Sequence, residues 1–96
     1  MPDLVIFRRR KDAGDIVAIS PEQPADDQGR FCLAHDELGQ QIAAEYEQVM
    51  QDTTPVSPPE YGRFAYELTL LGYNLHPMNE ASEQHHERRR AAARKS

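Results

Sequence analysis

The sequence predicts an α+β fold in which an antiparallel sheet of three strands, or four, is covered on one face by two helices. Two features of the sequence support this prediction. Short runs of strand-forming residues flank a turn near the N-terminus, and two later segments repeat apolar residues at helical spacing. The expected order of elements is β-β-β-α-α, with a fourth strand after the second helix.

The first two strands are predicted to form a β-hairpin. Residues 4–7 and 16–19 are continuous apolar runs, and the turn between them contains Gly14, which adopts positive φ without a steric cost. Because the run at 4–7 has no polar alternation, we expect that strand to be covered on both faces. Pro21 cannot donate to a ladder, so the second strand is expected to end near Ser20. A third strand is expected over residues 30–34.

The first helix is predicted to begin at Asp36, whose carboxylate can accept hydrogen bonds from the free N–H groups of a first turn. Gly39 inside that turn costs about 1 kcal/mol relative to alanine, so either the helix begins one turn later or a close backbone contact requires the glycine. Leu38, Ile42, Tyr46 and Val49 then recur at helical spacing. Glu45, Glu47 and several glutamines occupy the other side of this predicted helix. The pattern therefore predicts an amphipathic helix with an acidic outer face, ending near residue 50.

The second helix has the clearest boundaries. Ser57 and Glu60 form a capping-box pair, Pro58 suits the first helical position, and Gly72 is placed as a left-handed stop. A helix is therefore predicted over residues 58–71.

Two further expectations follow for this part of the chain. Tyr66 and Leu70 lie opposite the apolar stripe of the second helix, and we expect something to cover them. Residues 73–76 alternate and are expected to form the short fourth strand. The predicted core of sheet and helices contains Val5, Phe7, Val17, Ile19, Phe31, Leu33, Ile42, Tyr46, Val49, Phe64, Leu68 and Leu71.

The domain organisation is expected to be simple, because 96 residues fit one small domain. Residues 1–76 are expected to form a single compact α+β domain, and 77–96 a charged tail that is helix-prone or disordered. No segment approaches the roughly 20 apolar residues of a membrane span, and the N-terminus lacks a secretory pattern. A cytoplasmic protein that does not contact membranes is expected.

Charge is distributed unevenly along the chain. Residues 1–76 hold 13 acidic and 6 basic residues, a net charge of −7, whereas 77–96 hold 3 and 5, a net charge of +2. Between residues 21 and 52 eight carboxylates face only Arg30. That section repels nucleic acid and attracts a basic partner.

Candidate catalytic groups have structural explanations of their own. Cys32 and His35 are three residues apart on a predicted strand and loop, which places them on opposite faces or across a turn. The acidic neighbours Asp26 with Asp27, and Asp36 with Glu37, are typical of loops and helix starts. No catalytic residue is therefore assigned, and the protein is not expected to be an enzyme.

A metal site would have to use His85 and His86, with His76 and Glu87. Adjacent side chains on a helix point about 100° apart, and no further residue completes a ligand set. The chain also lacks a glycine-rich phosphate loop. No metal and no cofactor are expected.

Nucleic-acid binding is the alternative that the basic residues favour. Arg8 to Lys11 form one cluster and Arg88 to Lys95 another. In a strand Arg8 and Arg10 point one way while Arg9 and Lys11 point the other, so half of the first cluster can form one patch. A small nucleic-acid-binding accessory protein that uses Arg8, Arg10 and the basic tail is therefore a second hypothesis.

The segments HDELGQ and YELTLLGYNL lie within a stretch, residues 4–75, that resembles small uncharacterised single-domain proteins found in phages and other mobile elements. The resemblance implies no activity and no catalytic residues. It implies a context in which small acidic proteins bind host machinery, including CRISPR surveillance complexes and polymerases.

The first functional hypothesis is a non-enzymatic protein that binds and inhibits or modulates a basic nucleic-acid-handling host protein, with an anti-CRISPR-like inhibitor as its specific form. An acidic surface can imitate the phosphates of nucleic acid and occupy a basic groove. A homodimer through the outer side of the second helix is a compatible expectation. The predicted partner-binding residues are Asp26, Asp27, Asp36, Glu37, Glu45, Glu47, Tyr66 and Leu70.

Overall fold

The computed structural model describes residues 2–95 and confirms the α+β class, with a larger sheet and one more helix than the sequence predicted. Within these residues the elements are β1 (Asp3–Arg10), β2 (Ile16–Pro24), β3 (Cys32–Asp36), β4 (Gln41–Ala44), α1 (Tyr46–Gln51), β5 (Thr53–Pro55), α2 (Pro58–Leu70), β6 (Leu75–Pro77) and α3 (Glu83–Arg94). The strands β4, β3, β2 and β1 lie side by side in that order, and the far side of β1 is shared by β5 and β6. The β1–β6 pair is parallel, and the other pairs are antiparallel.

The predicted hairpin is confirmed as β1 and β2. Ile6 pairs with Ile19 and Phe7 with Ala18, so in this part of the ladder the register places apolar residues opposite one another. Gly14 has a φ of 78° in the connecting turn. As expected from its unbroken apolar run, β1 is buried on both faces in its central part.

The helices lie on both faces of the sheet, which corrects the prediction that they share one face. Phe7 packs with Phe64 and Leu68 of α2 on one face. On the opposite face Ile6 and Ile19 belong to a second cluster, against which α1 and the segment before α3 pack. Successive side chains of a strand point to opposite faces, so the continuous apolar strands β1 and β2 create two apolar surfaces that both need cover.

The predicted core is largely confirmed, with one clear error. Leu71 is 70% exposed because α2 ends at Leu70 and the chain turns away at Gly72, whose φ is 103°. Phe31 and Leu33 are half-buried. The remaining predicted core residues are buried or half-buried.

β2 is longer than predicted and β3 lies further along the chain. β2 continues through Pro21 to Pro24, and the β2–β3 ladder shifts register between Ser20 and Pro24. A register shift leaves backbone groups outside the regular ladder, so a residue without an N–H is tolerated there. The strand therefore does not stop at Pro21.

The first predicted helix is wrong in its N-terminal half, where the chain forms a second hairpin. The Asp36 carboxylate accepts hydrogen bonds from the backbone N–H groups of Leu38 (3.0 Å) and Gln40 (2.9 Å). Gly39 has a φ of 84°, and the turn leaves Leu38 84% exposed. The same carboxylate chemistry that caps a helix here closes the turn between β3 and β4. Within the range of this predicted helix, only Tyr46–Gln51 are helical.

The second predicted helix is confirmed as α2. The Glu60 carboxylate accepts hydrogen bonds from the Ser57 N–H (2.6 Å) and hydroxyl (2.9 Å), and these bonds lower the pKa of Glu60. Tyr66 and Leu70 are 64% and 68% exposed, so the described chain does not cover them as expected. The predicted fourth strand is present as β6, two residues later than expected and paired with the start of β1.

The C-terminal segment, expected to be helix-prone or disordered, contains a packed helix, α3. Arg89 and Ala93 are buried, and the Arg89 guanidinium donates to the carbonyls of Pro21 and Gly29, both at 2.8 Å. The helix lies on β2 and on the β2–β3 loop because an arginine, and not an apolar stripe, anchors it. Apolar periodicity in the sequence therefore does not predict the packing of α3.

Candidate functional site

The acidic surface around α1 is the candidate functional site. β4 leads into Glu45, whose carboxylate accepts from the Gln48 N–H (3.3 Å) and caps the helix. Tyr46 and Val49 face the core, so Glu45 and Glu47 are left on the exposed side. The Asp52 carboxylate at the end of α1 accepts from the Gln48 side chain (3.0 Å). Within residues 2–95 no cation forms a salt bridge with these three carboxylates.

Two grooves flank α1. The first, here called the α3 groove, has a volume of about 460 Å³ and lies between α1, α3 and the β2–β3 loop. It carries charges of both signs. Its acidic lining residues are Glu45, Glu47 and Glu83, and its basic ones are Arg30, Arg89 and Arg90.

The second groove, here called the β4 groove, has a volume of about 260 Å³ and lies beside β4 and α1. Its apolar lining is formed by Ile42, Ala43, Ala44 and Val49. Its charged lining residues are Asp12, Glu45, Asp52 and Arg10. Arg10 is already ion-paired with Asp15, which raises the pKa of Arg10 and lowers that of Asp15, so the groove has an acidic character.

The predicted acidic partner-binding residues do not form one surface. Glu45 and Glu47 lie together at α1, and Asp26 and Asp27 lie in the β2–β3 loop, where Asp26 accepts from the Phe31 N–H (3.0 Å). Asp36 is buried and is used by the β3–β4 turn. Among the predicted acidic residues, the pair at α1 lies beside further carboxylates, since Glu45 shares the β4 groove with Asp12 and Asp52.

Three other predicted contact residues lie on the face that α2 covers. Glu37 accepts a hydrogen bond from the Ile16 N–H and lines a depression with Glu60 of α2. Tyr66 and Leu70 are exposed on the outer side of α2. These residues are therefore separated from Glu45 and Glu47 by the sheet.

Cys32 and His35 lie on opposite faces of β3, as the spacing predicted. Cys32 is in the cluster on the α1 side, and burial raises the pKa of its thiol. His35 contacts the Tyr73 hydroxyl at 3.1 Å on the other side, and burial lowers its pKa. A thiolate and an imidazole base do not meet here, so the pair does not form a nucleophile site.

The two neighbouring histidines of α3 make separate contacts. His85 Nδ1 accepts from the Ser82 N–H (2.8 Å) and so caps α3. His86 packs edge-on against the Tyr46 ring at 4.6 Å, and its Nδ1 lies 2.7 Å from Arg89 Nη1. Because a guanidinium only donates, His86 Nδ1 is the acceptor, and His86 is neutral in this arrangement. Within residues 2–95 no three His, Cys, Asp or Glu side chains are grouped to hold a metal ion.

His86 makes the packing of α3 sensitive to pH. Burial, followed by the nearby charge of Arg89, lowers the pKa of His86 from 6.5; Arg90 and His85 act in the same direction and Glu83 opposes them. The folded state therefore binds fewer protons than the unfolded state below pH 6.5. The stabilisation that neutral His86 contributes is present above this pH and is lost as the pH falls.

We therefore expect the free energy of unfolding to fall as the pH is lowered below 6.5, measured by urea denaturation at several pH values. His86→Gln, whose side-chain carbonyl can still accept from Arg89, should reduce this dependence. His35, whose pKa is also lowered, should leave a remainder. An unchanged pH dependence in the variant would contradict the assignment to His86.

The basic cluster at residues 8–11 is bound by the chain itself. Arg8 donates to the Thr53 hydroxyl (3.0 Å) and to the carbonyls of Met50 (3.0 Å) and Thr53 (2.9 Å). Arg9 donates to the Gly14 carbonyl and forms a salt bridge with Glu60. Arg10 pairs with Asp15, and Lys11 donates to the Gln51 carbonyl. In α3, Arg88 pairs with Glu22 and Arg90 with Glu83. These contacts reduce the capacity of the 8–11 cluster, and of Arg88 and Arg90 in α3, to bind phosphate.

Two features of this surface were missed by reasoning from the sequence. Asp12 and Asp52 join Glu45 only because the β1–β2 turn and the end of α1 meet in the fold. The helical spacing of Ile42, Tyr46 and Val49 concealed β4, although Asp36 followed three residues later by Gly39 is a turn pattern that indicates a hairpin.

No family model, curated protein or solved structure matches the chain. In residues 2–95, no helix has the length and apolar composition needed to cross a membrane.

Proposed function

We propose that this protein is a non-enzymatic binding protein that uses the acidic surface around α1 to contact the basic surface of a nucleic-acid-handling protein. Within residues 2–95 the exposed carboxylates of Glu45, Glu47 and Asp52 form no salt bridge, and Asp12 lines the same region. Exposed charge of one sign accelerates association with a surface of the opposite sign and selects against partners of like charge.

The observation that carries the proposal is the contrast between the two kinds of charge. Every cation of the 8–11 cluster contacts a carbonyl or carboxylate of the chain, whereas the carboxylates at α1 form no salt bridge within residues 2–95. Nucleic acid bound through this cluster would compete with those contacts. Within the described residues the carboxylates at α1 accept hydrogen bonds only from Gln48, and they keep further lone pairs for a cation, which favours a basic partner over nucleic acid.

In its specific form, the proposed function is inhibition or modulation. A row of carboxylates placed in a groove that normally holds nucleic acid competes with the phosphates for the same lysines and arginines. The resemblance to proteins of phages and other mobile elements suggests the anti-CRISPR kind of inhibitor. The partner would be a host protein, and no chemical reaction by this chain is required.

We expect reversal of charge at α1 to abolish capture of the partner. The variant Glu47→Lys with Asp52→Lys changes two exposed carboxylates, and its yield of captured protein from a lysate of the native host should fall at least about tenfold. The captured proteins are identified by mass spectrometry after nuclease treatment.

The matched control is Glu67→Lys with Glu87→Lys, which makes the same change of net charge at exposed positions on α2 and α3. This control should retain capture. Capture that is equal for both variants would contradict a site at α1. Capture that disappears on nuclease treatment would instead indicate binding through nucleic acid.

A further inference from the structure

The two edges of the sheet differ in how they are protected against further strand pairing. On one side β5 and β6 are three residues each, and they contain Pro55 and Pro77, which cannot donate to a ladder. On the other side β4 has four residues, Gln-Ile-Ala-Ala, with neither proline nor charge. Short strands, proline and charged side chains are the usual protection of an edge, and β4 lacks the last two.

The turn before β4 shows which backbone groups face outward. The Asp36 N–H donates to the Gln40 carbonyl at 3.1 Å, which makes these residues a hydrogen-bonded pair. Hydrogen-bonded pairs alternate along an antiparallel ladder, so the pairs formed by Ile42 and Ala44 with β3 are also hydrogen-bonded. Gln41 and Ala43 consequently direct their N–H and C=O groups away from β3, toward the open edge.

The β4 groove lies next to this edge and indicates what would pair with it. Ile42, Ala44 and Val49 supply an apolar surface, and Asp12, Glu45 and Asp52 supply carboxylates that form no salt bridge within the described chain. Every second side chain of an added strand would face α1. The groove suits a strand in which these side chains are apolar and cationic in turn.

We propose that β4 accepts an extended, basic segment of the partner protein as an additional strand, with its apolar side chains in the β4 groove and its lysine or arginine side chains at Asp12, Glu45 and Asp52. The proposal rests on the proposed function and specifies how the basic partner is held. Main-chain hydrogen bonds to Gln41 and Ala43 would supply affinity, and the groove would supply specificity.

A second copy of this chain is a poorer occupant of the same edge. Pairing of β4 with β4 would bring two sets of the carboxylates of Asp12, Glu45 and Asp52 together. Like charges placed in one interface oppose association. The charge of the groove therefore favours a basic strand.

The test uses a peptide of sequence Lys-Thr-Val-Thr-Lys-Thr-Val-Thr-Lys as probe, with glutamate replacing lysine in a control peptide. Ala43→Pro removes the outward N–H and should weaken binding of the lysine peptide at least about tenfold, whereas Ala43→Val keeps that N–H and should retain binding. Asp12→Asn with Asp52→Asn should weaken binding at least about threefold, and Glu87→Gln should not. The glutamate peptide should not bind.

Amide hydrogen exchange of the wild-type protein removes the dependence on variant folding. The lysine peptide should slow exchange of the Gln41 and Ala43 amides, and unchanged exchange at both would overturn the proposal. Equal binding by Ala43→Pro and Ala43→Val would also overturn it; if the charge variants still weaken binding, the acidic surface remains supported and only strand addition fails. Dimerisation of the wild type that Ala43→Pro abolishes would indicate a second copy as the occupant and likewise overturn the proposal.

Discussion

Replacing Arg89 with alanine is expected to lower the free energy of unfolding by about 3 kcal/mol, because three hydrogen bonds from a charged donor are lost, two to backbone carbonyls and one to His86 Nδ1. The Arg89 side chain is 4% exposed and donates to the Pro21 and Gly29 carbonyls, which join β2 and the β2–β3 loop to α3. Without the guanidinium these acceptors are unpaired unless α3 moves away and admits water. Urea denaturation measures the loss, and amide exchange along α3 shows whether the helix detaches.

Arg88→Ala is the matched control, since it removes the same side chain from the adjacent position. Arg88 pairs with Glu22 at 2.8 Å on the surface, where its side chain is 62% exposed. An exposed pair of this kind contributes less than about 1 kcal/mol. Similar losses in the two variants would show that α3 is not anchored by Arg89.

Gly29→Ala is expected to have the second large effect, also of about 3 kcal/mol, from backbone strain and steric overlap together. Gly29 has a φ of 72°, where a side chain is disfavoured. A Cβ at this position would lie 2.7 Å from the Arg90 Cα and 3.1 Å from the Arg89 carbonyl oxygen. The obstacle is backbone and not a flexible side chain, so α3 must shift. Thermal or urea unfolding measures the effect.

Gly14→Ala separates the two causes. Gly14 has a φ of 78°, similar to that of Gly29, but an added Cβ would meet nothing within 4 Å. This variant should therefore lose only the left-handed contribution of roughly 1–2 kcal/mol. If Gly14→Ala and Gly29→Ala lose the same stability, the close approach of α3 to the β2–β3 loop is not as described.

The elements that could be predicted are those whose pattern is complete within a short stretch. The β1–β2 hairpin needs two apolar runs and a turn with Gly14, and all three are adjacent in sequence. The helix α2 needs a capping pair at Ser57 and Glu60 and an apolar stripe, which are also local. In such elements the hydrogen bonds form between near neighbours, so local composition determines them.

The segment around β4 could not be predicted because two structures compete for the same residues. Ile42 suits a helical stripe with Tyr46 and Val49, but it also suits a strand when it pairs with Ala34 of β3. That pairing depends on where β3 lies, and β3 itself extends two residues beyond its predicted end. Hydrogen bonds to a neighbouring strand overrode the local helical pattern, as tertiary context commonly does.

The candidate site divides in the same way. Glu45 and Glu47 could be proposed as exposed acids from their place in an amphipathic pattern, whereas their association with Asp12 and Asp52 depends on contacts between distant parts of the chain. The engagement of Arg8 by Met50 and Thr53 likewise joins residues more than 40 positions apart. A linear sequence shows charge, but it does not show which charges are already paired.

The amino-acid sequence by itself determined the class of the fold, its first hairpin, the helix α2 and the excess of acid in the middle of the chain. Only the tertiary structure decided that the helices cover both faces, that β4 is an open edge and that the C-terminal segment packs through Arg89. The physical reason is the range of the interactions. Propensity, capping and turn chemistry act over a few residues, whereas strand pairing and the burial of a charged group depend on partners that only the folded chain brings together.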